Sequence, residues 1–306
     1  MNSVASVKDK LKNKSRETGR TLQELFTLYG LERTIYRLSV SRYKENFVLK
    51  GGIFLYALYQ GDYPRSTTDI DLLAQRISNA ETDMKAIFTE ILSQEADDPL
   101  RFDLNTLNVT TITEFKEYHG VNISVLAYLD RTRIPVSIDV GYDDVIYPAR
   151  VTIDFPVLLD MDAPKLYAYS IYSVLAEKFH AIVSQGEATS RYKDYYDINV
   201  IAGKFSLNGS ELKEAVNLTF KNRNTGYNDI IAFRDEFAEN EIHRRRWDFF
   251  VKKKRTLMQI DFAEVLALIK TLFEPIVNSI ESNSDFTEIW DCREKKWISE
   301  NKTTEI

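Results

Sequence analysis

From residue 3 to residue 45 the apolar positions follow a helical rhythm. Leu22, Leu25, Phe26 and Tyr29 keep it closely, and Ile35, Leu38 and Val40 keep it more loosely. Gly19 and Gly30 are expected to divide this stretch into short helices. Phe47-Val48-Leu49 is a short apolar run that ends at Lys50-Gly51-Gly52. The apolar segment Ile53 to Tyr59 predicts a helix leading away from the glycine pair, and Gly61-Asp62-Tyr63-Pro64 signals a turn. A strand is expected over residues 68–73. Residues 79–95 predict an amphipathic helix with Met84, Ile87, Phe88 and Ile91 on one face.

The period then changes to two. Val121, Ile123, Val125, Ala127 and Leu129 alternate, as do Ile134, Val136, Ile138 and Val140, with Asp130-Arg131-Thr132-Arg133 as the turn between two strands. Ser137 and Asp139 occupy the other face of the second strand, and Gly141 is expected to end it, leaving Asp143 and Asp144 in a loop. After Pro164 the pattern is helical almost to the end. Helices are expected over 170–184, 192–203, 227–256 and 261–273, and the polar tail after Lys295 is expected to fray. The pattern predicts an α+β chain in three parts: a helical N-terminal segment (1–46), a mixed-sheet core (47–163) and a large helical C-terminal half (164–306).

Composition narrows the class. An apolar fraction of 44% over 306 residues supports a real core and excludes a disordered chain. Cys292 is the only cysteine, so neither an intramolecular disulfide nor a cysteine metal cage can form. The N-terminus lacks a signal pattern, and no apolar run approaches the roughly 20 residues of a membrane span, so a cytoplasmic location without membrane association is expected. A net charge of −6 excludes a globally basic nucleic-acid footprint. A local one remains in His243-Arg244-Arg245-Arg246 and Lys252-Lys253-Lys254-Arg255. That stretch reads either as the solvated face of an aromatic-backed helix or as a phosphate-tracking RNA surface.

The candidate chemistry starts at Asp69-Ile70-Asp71. On a strand these two carboxylates point the same way while Ile70 and Leu72 face the core. Two carboxylates side by side repel each other unless a divalent cation sits between them. With Asp139 they can supply three oxygen ligands for Mg²⁺ or Mn²⁺. The bland alternative is a solvated edge strand. Lys50-Gly51-Gly52 reads either as a plain turn or as a backbone-lined phosphate pocket at a helix start. Arg65, four residues before Asp69, can reach a triphosphate or hold the carboxylates. Further on, Lys178 sits on a largely apolar helix, where it needs a partner, and Asp194 and Asp197 share one side of the next helix. These three are either an interhelical ion pair or a phosphate-binding lysine with a carboxylate that acts on an acceptor. His119 and His180 have no second histidine at metal-ligand spacing.

In order along the chain stand Phe47-Val48-Leu49-Lys50-Gly51-Gly52, Arg65-x-Thr67-x-Asp69-Ile70-Asp71, Ile138-Asp139-Val140, Ala176-Glu177-Lys178-x-x-Ala181 and Arg191-x-Lys193-Asp194-x-x-Asp197. Together, from about residue 20 to 255, they resemble the AbiEii/AbiGii toxin family of nucleotidyltransferases, which includes the MenT toxins. The resemblance implies a nucleotidyltransferase-fold core with helical additions. It also implies Mg²⁺- or Mn²⁺-dependent transfer of NMP from an NTP. Family members are toxins of two-gene toxin–antitoxin systems, some linked to abortive phage resistance, and characterised relatives modify tRNA acceptor ends. A cognate antitoxin, an NTP and a tRNA acceptor are therefore the expected partners. An acceptor that is a protein or small molecule, and a nucleotide-binding module without turnover, are the alternatives. Position by position, Gly51 and Gly52 match the nucleotide-binding motif, Asp69 and Asp71 the metal carboxylates, Lys178 the essential lysine and Asp194 the late essential aspartate. Asp139 would be a third metal ligand, and Asp197 competes with Asp194. Gly52 stands where broader nucleotidyltransferases usually carry serine, which is normal for this branch.

Overall fold

The computed structural model describes residues 3–112, 120–253 and 257–299, and the chain divides into two compact units. Lys254, Arg255 and His119 lie outside the described residues. The first unit comprises Met1–Asp144 and Arg150–Tyr169, and the second comprises Val145–Ala149 and Ser170–Ile306.

Two helices open the first unit, α1 (Val4–Thr18) and α2 (Leu22–Val40). Gly19 ends α1 in the left-handed region (φ 71°), where a glycine pays no side-chain penalty. Thr21 and Glu24 then start α2 with a reciprocal capping box. Gly30 does not break the chain as expected; it lies buried in the middle of α2. A Cβ there would sit 2.6 Å from the Ile134 side chain, so this glycine lets the helix approach the sheet closely. That contact outweighs the ~1 kcal/mol helix penalty of glycine.

The strands of this unit are β1 (Phe47–Lys50), β2 (Ile70–Ala74), β3 (Arg101–Ile112), β4 (Gly120–Leu129), β5 (Thr132–Gly141), β6 (Val151–Asp154) and β7 (Lys165–Ala168). They form one sheet in the order β3-β4-β5-β2-β1-β7-β6. The β2–β5 and β1–β7 pairs are parallel, and the others are antiparallel. Helix α3 (Gly51–Leu58) follows β1, and α4 (Glu81–Leu92) follows β2. The 12-residue strand β3 carries few buried positions and a register shift between Asp103 and Asn108, which is why its periodicity is weak in the sequence. β7 falls where a helical pattern was expected. Its four residues are too few to establish a period, and pairing with β1 and β6 defines it. Ile70, Leu72, Ile138, Val140 and Leu49 are buried, so β1, β2 and β5 anchor the middle of the sheet.

The second unit is mainly helical: α5 (Ile171–Gln185), α6 (Tyr192–Ala202), α7 (Gly209–Asn222), α8 (Asp235–Glu239), α9 (Glu241–Lys252) and α10 (Phe262–Glu281). The helix expected over 227–256 is not continuous: its first α-helical residue is Asp235, and the chain breaks again at Asn240. There the side-chain oxygen accepts from the N–H groups of Ile242 and His243 and starts a new helix. Aromatic rings fill the unit. Phe179 stacks on Phe273 at 4.0 Å, and Trp247 is fully buried beside Phe262. The strands β8 (Leu207–Asn208), β9 (Ile289–Asp291) and β10 (Lys296–Ile298) form a small second sheet. The tail therefore does not fray directly after Lys295: Trp297 packs edge-on against Trp290 at 5.5 Å and holds β10 in place.

Candidate active site

The glycine pair lies at the junction of β1 and α3. β1 pairs antiparallel with β2 so that Lys50 stands opposite Asp71. The next residue, Gly51, turns the chain into α3 with φ 65°. A Cβ at Gly51 would overlap the Asp71 carboxylate, so glycine is required both for the turn and for the carboxylate's position. At Gly52 a Cβ would come within 2.8 Å of the Arg65 guanidinium and 3.1 Å of Thr67 Oγ1, so Arg65 lies directly over this backbone. Among the described residues no side chain caps the start of α3, and its first-turn N–H groups present a partial positive charge suited to an anion. The Lys50 ammonium pairs with the Asp144 carboxylate at 2.6 Å and lies 5.5 Å from the centre of the Tyr169 ring. Asp144, a loop residue in the sequence pattern, thus anchors the lysine of the motif.

The carboxylates converge beside this junction. β2 begins at Ile70, two residues later than the expected strand, so Asp69 immediately precedes it and Asp71 lies within it. β2 runs parallel to β5 with Asp71 level with Asp139. Asp69, Asp71 and Asp139 each offer an oxygen within 4.8 Å of the other two, and all three side chains are half-buried. Three hard oxygen donors at this spacing fit Mg²⁺ or Mn²⁺, with coordination positions left for phosphate oxygens. Asp69 Oδ1 also receives the Thr67 hydroxyl at 3.3 Å. Asn122 on β4, directly opposite Asp139, donates to Asp139 Oδ1 at 2.7 Å and to Ser137 Oγ at 2.9 Å. The sequence reading did not single out Asn122. Its place on the polar face of a period-two strand was visible, but the register that brings it to Asp139 was not. A groove of about 530 Å³ runs along β4 and β5, with Thr68, Thr106, Ser124 and Ser137 among its lining residues.

In the second unit the Lys178 ammonium contacts Asp194 Oδ1 at 2.9 Å and Asp197 Oδ2 at 2.6 Å, joining α5 to α6. All three side chains are buried, so the ion-pair alternative is present in the structure. Asp194 Oδ2 is buried with no hydrogen-bond partner among the described residues. His180 is engaged by Thr225 at 2.8 Å and Arg223 at 3.2 Å. The described part of the basic stretch lies on α9 and just beyond it. Arg244, Arg245, Arg246, Lys252 and Lys253 are all exposed, and Phe249 is exposed among them. Two of these charges are shared with acidic neighbours one turn away, Arg245 with Glu241 and Lys252 with Asp248.

No helix among the described residues is long and apolar enough to cross a membrane. Two solved structures from Helicobacter pylori are similar, each at 14% identity. JHP933 has a TM-score of 0.45, with 83% of this chain and 92% of that chain covered. A candidate nucleotidyltransferase has a TM-score of 0.47, with 84% and 96% covered. No curated protein matches the chain significantly. The sequence profile described as "Nucleotidyl transferase AbiEii toxin, Type IV TA system" matches residues 33–268. That span holds both the carboxylate cluster and the glycine junction, and the chain belongs to the AbiEii family of nucleotidyltransferase toxins.

Proposed function

We propose that this toxin transfers NMP from an NTP to an RNA acceptor, the 3′ end of tRNA, in a reaction that depends on a divalent metal. Family membership implies an NTP substrate and a cognate antitoxin. The observation that carries the proposal is the convergence of Asp69, Asp71 and Asp139 beside the uncapped, glycine-started helix α3. Carboxylate oxygens hold the ion, while helix N–H groups and Arg65 bind the phosphates. A bound Mg²⁺ or Mn²⁺ supplies neutralisation of phosphate charge and polarisation of the α-phosphoryl group. The acceptor hydroxyl oxygen bonds to the α-phosphorus, the α–β phosphoanhydride bond breaks, pyrophosphate leaves and a carboxylate base takes the hydroxyl proton. Gly51 and Gly52 let the backbone approach the phosphates, and Asp144 holds the Lys50 ammonium at this junction.

Lys178 and Asp194 are proposed as further residues that the transfer requires, on the strength of the family motif. The lone buried oxygen of Asp194 favours it over Asp197 as the functional carboxylate, because a buried acceptor without a donor is costly unless it serves a purpose. The exposed basic residues of α9 are proposed as an RNA contact surface.

The test is transfer of label from each of the four α-labelled NTPs to a total tRNA pool. Wild type is expected to label tRNA in the presence of Mg²⁺ or Mn²⁺ and to stop when the metal is chelated. Asp69→Ala, Asp71→Ala and Lys178→Ala are expected to lose about 10²- to 10³-fold of the rate and to relieve growth arrest on expression. Label on protein or on a small molecule instead of RNA would move the acceptor to that class. Full activity of the Asp71→Ala variant would sink the site.

A further inference from the structure

Asp139 is the carboxylate of the cluster that comes from a different strand, so its orientation is not set by the Asp69–Asp71 spacing. Asn122 faces it across the β4–β5 pair, where opposed residues share one face of the sheet. The Asn122 amide group uses one N–H on Asp139 Oδ1 at 2.7 Å and the other on Ser137 Oγ at 2.9 Å. The orientation of this amide is fixed by chemistry: its oxygen could not lie 2.7 Å from a carboxylate oxygen, since both are acceptors. Among the described residues, Asp139 Oδ2 takes no hydrogen bond. One oxygen of the carboxylate is therefore tied down and the other carries no hydrogen bond. A donor tied to one oxygen of a ligating carboxylate fixes its rotamer and disperses its charge without neutralising it. Ser137 fixes the amide in turn, so two side chains on β4 and β5 determine the orientation of the Asp139 carboxylate.

We propose that Asn122 is a positioning residue for the divalent cation, acting through Asp139. The proposal rests on the metal-site reading above and adds a residue to it. The probe is Mn²⁺ alone, titrated into the full chain without nucleotide or RNA, with free Mn²⁺ read by electron paramagnetic resonance. Asn122→Ala removes both donors. Asn122→Val removes them while keeping a strand-favouring side chain. Both are expected to weaken Mn²⁺ binding about 10- to 100-fold, with metal-free melting midpoints that stay close to wild type. Asp71→Ala is run beside them. If wild type binds Mn²⁺ and Asp71→Ala does not, yet both Asn122 variants bind as wild type does, the positioning role is overturned while the metal site stands. If wild type itself binds no Mn²⁺, or Asp71→Ala binds as tightly as wild type, the metal site fails and this proposal fails with it. A metal-free melting midpoint that falls sharply in both Asn122 variants would make Asn122 a structural residue and would also overturn the proposal.

Discussion

Position 51 asks two things of one residue. The backbone must take φ 65°, and nothing may project toward the Asp71 carboxylate. Gly51→Ala violates both. It is expected to cost about 1–2 kcal/mol through the left-handed backbone alone. Displacing Asp71 from the cluster is expected to lower nucleotidyl transfer about 10²-fold, the scale expected when a reacting geometry shifts by an ångström. Gly51→Asn separates the two demands, because asparagine tolerates the left-handed region but still carries a Cβ. If Gly51→Asn transfers as well as wild type in the labelled-NTP assay, close approach to Asp71 is not the constraint. The glycine was legible in the sequence as part of a motif. The reason for it was not, because its neighbour Asp71 is twenty residues away and meets it only through the β1–β2 register.

Helix α2 shows what an element gives up to fit its surroundings. Its sequence predicts an ordinary amphipathic helix broken at Gly30. The folded helix instead runs through Gly30 and buries Glu32, Arg33 and Arg37. Arg37 makes a two-pronged pair with Asp98, at 3.0 and 3.1 Å, and Arg33 donates to the Asp162 carbonyl at 2.9 Å. Glu32 accepts the Leu158 N–H at 2.6 Å, and burial, the largest influence, pushes its pKa from 4.5 to about 7 despite the neighbouring Arg33. A carboxyl whose folded pKa is raised contributes stability that is fully present below the unfolded value and is lost as pH rises through the folded one. The loss therefore develops between about pH 4.5 and 7 and reaches about 3 kcal/mol. Glu32→Gln keeps an acceptor for Leu158 and cannot ionise. Its melting midpoint relative to wild type is expected to rise between pH 5 and pH 8. A gap that stays constant over that range would show that Glu32 is ionised throughout.

Across the whole molecule, charge is unevenly distributed. The chain carries −6 overall, yet α9 and the residue after it expose five basic residues in ten positions, from Arg244 to Lys253. If this face tracks RNA phosphates, affinity for tRNA falls steeply with salt, and each lost single-strand phosphate contact reduces the log–log slope by about 0.7. Arg244→Gln, Arg245→Gln and Lys253→Gln combined should weaken tRNA binding and flatten that slope by about 2. An unchanged slope would assign the charges to solvation and to the Glu241 and Asp248 pairs. The buried face of the same helix is a separate matter. His243, Trp247 and Val251 lie on it, and the helical spacing of the aromatic positions was readable from the sequence.

The sequence by itself determined the elements with a strong period: α3 to α6, the β4–β5 hairpin and the first part of the C-terminal helix α10, together with the chemical character of Asp69, Asp71, Asp139 and Lys178. Local spacing suffices for these because side chains two residues apart on a strand, or three to four apart on a helix, share a face whatever the rest of the chain does. Tertiary structure decided what depends on partners distant in sequence. It placed Asp139 level with Asp71, Asn122 against Asp139, Asp144 on Lys50, and both Asp194 and Asp197 on Lys178. It also made strands of residues 101–112 and 165–168, whose weak or short patterns become strands only when neighbouring strands satisfy their backbone N–H and C=O groups. Register and packing are properties of pairs of segments, and no single segment encodes them.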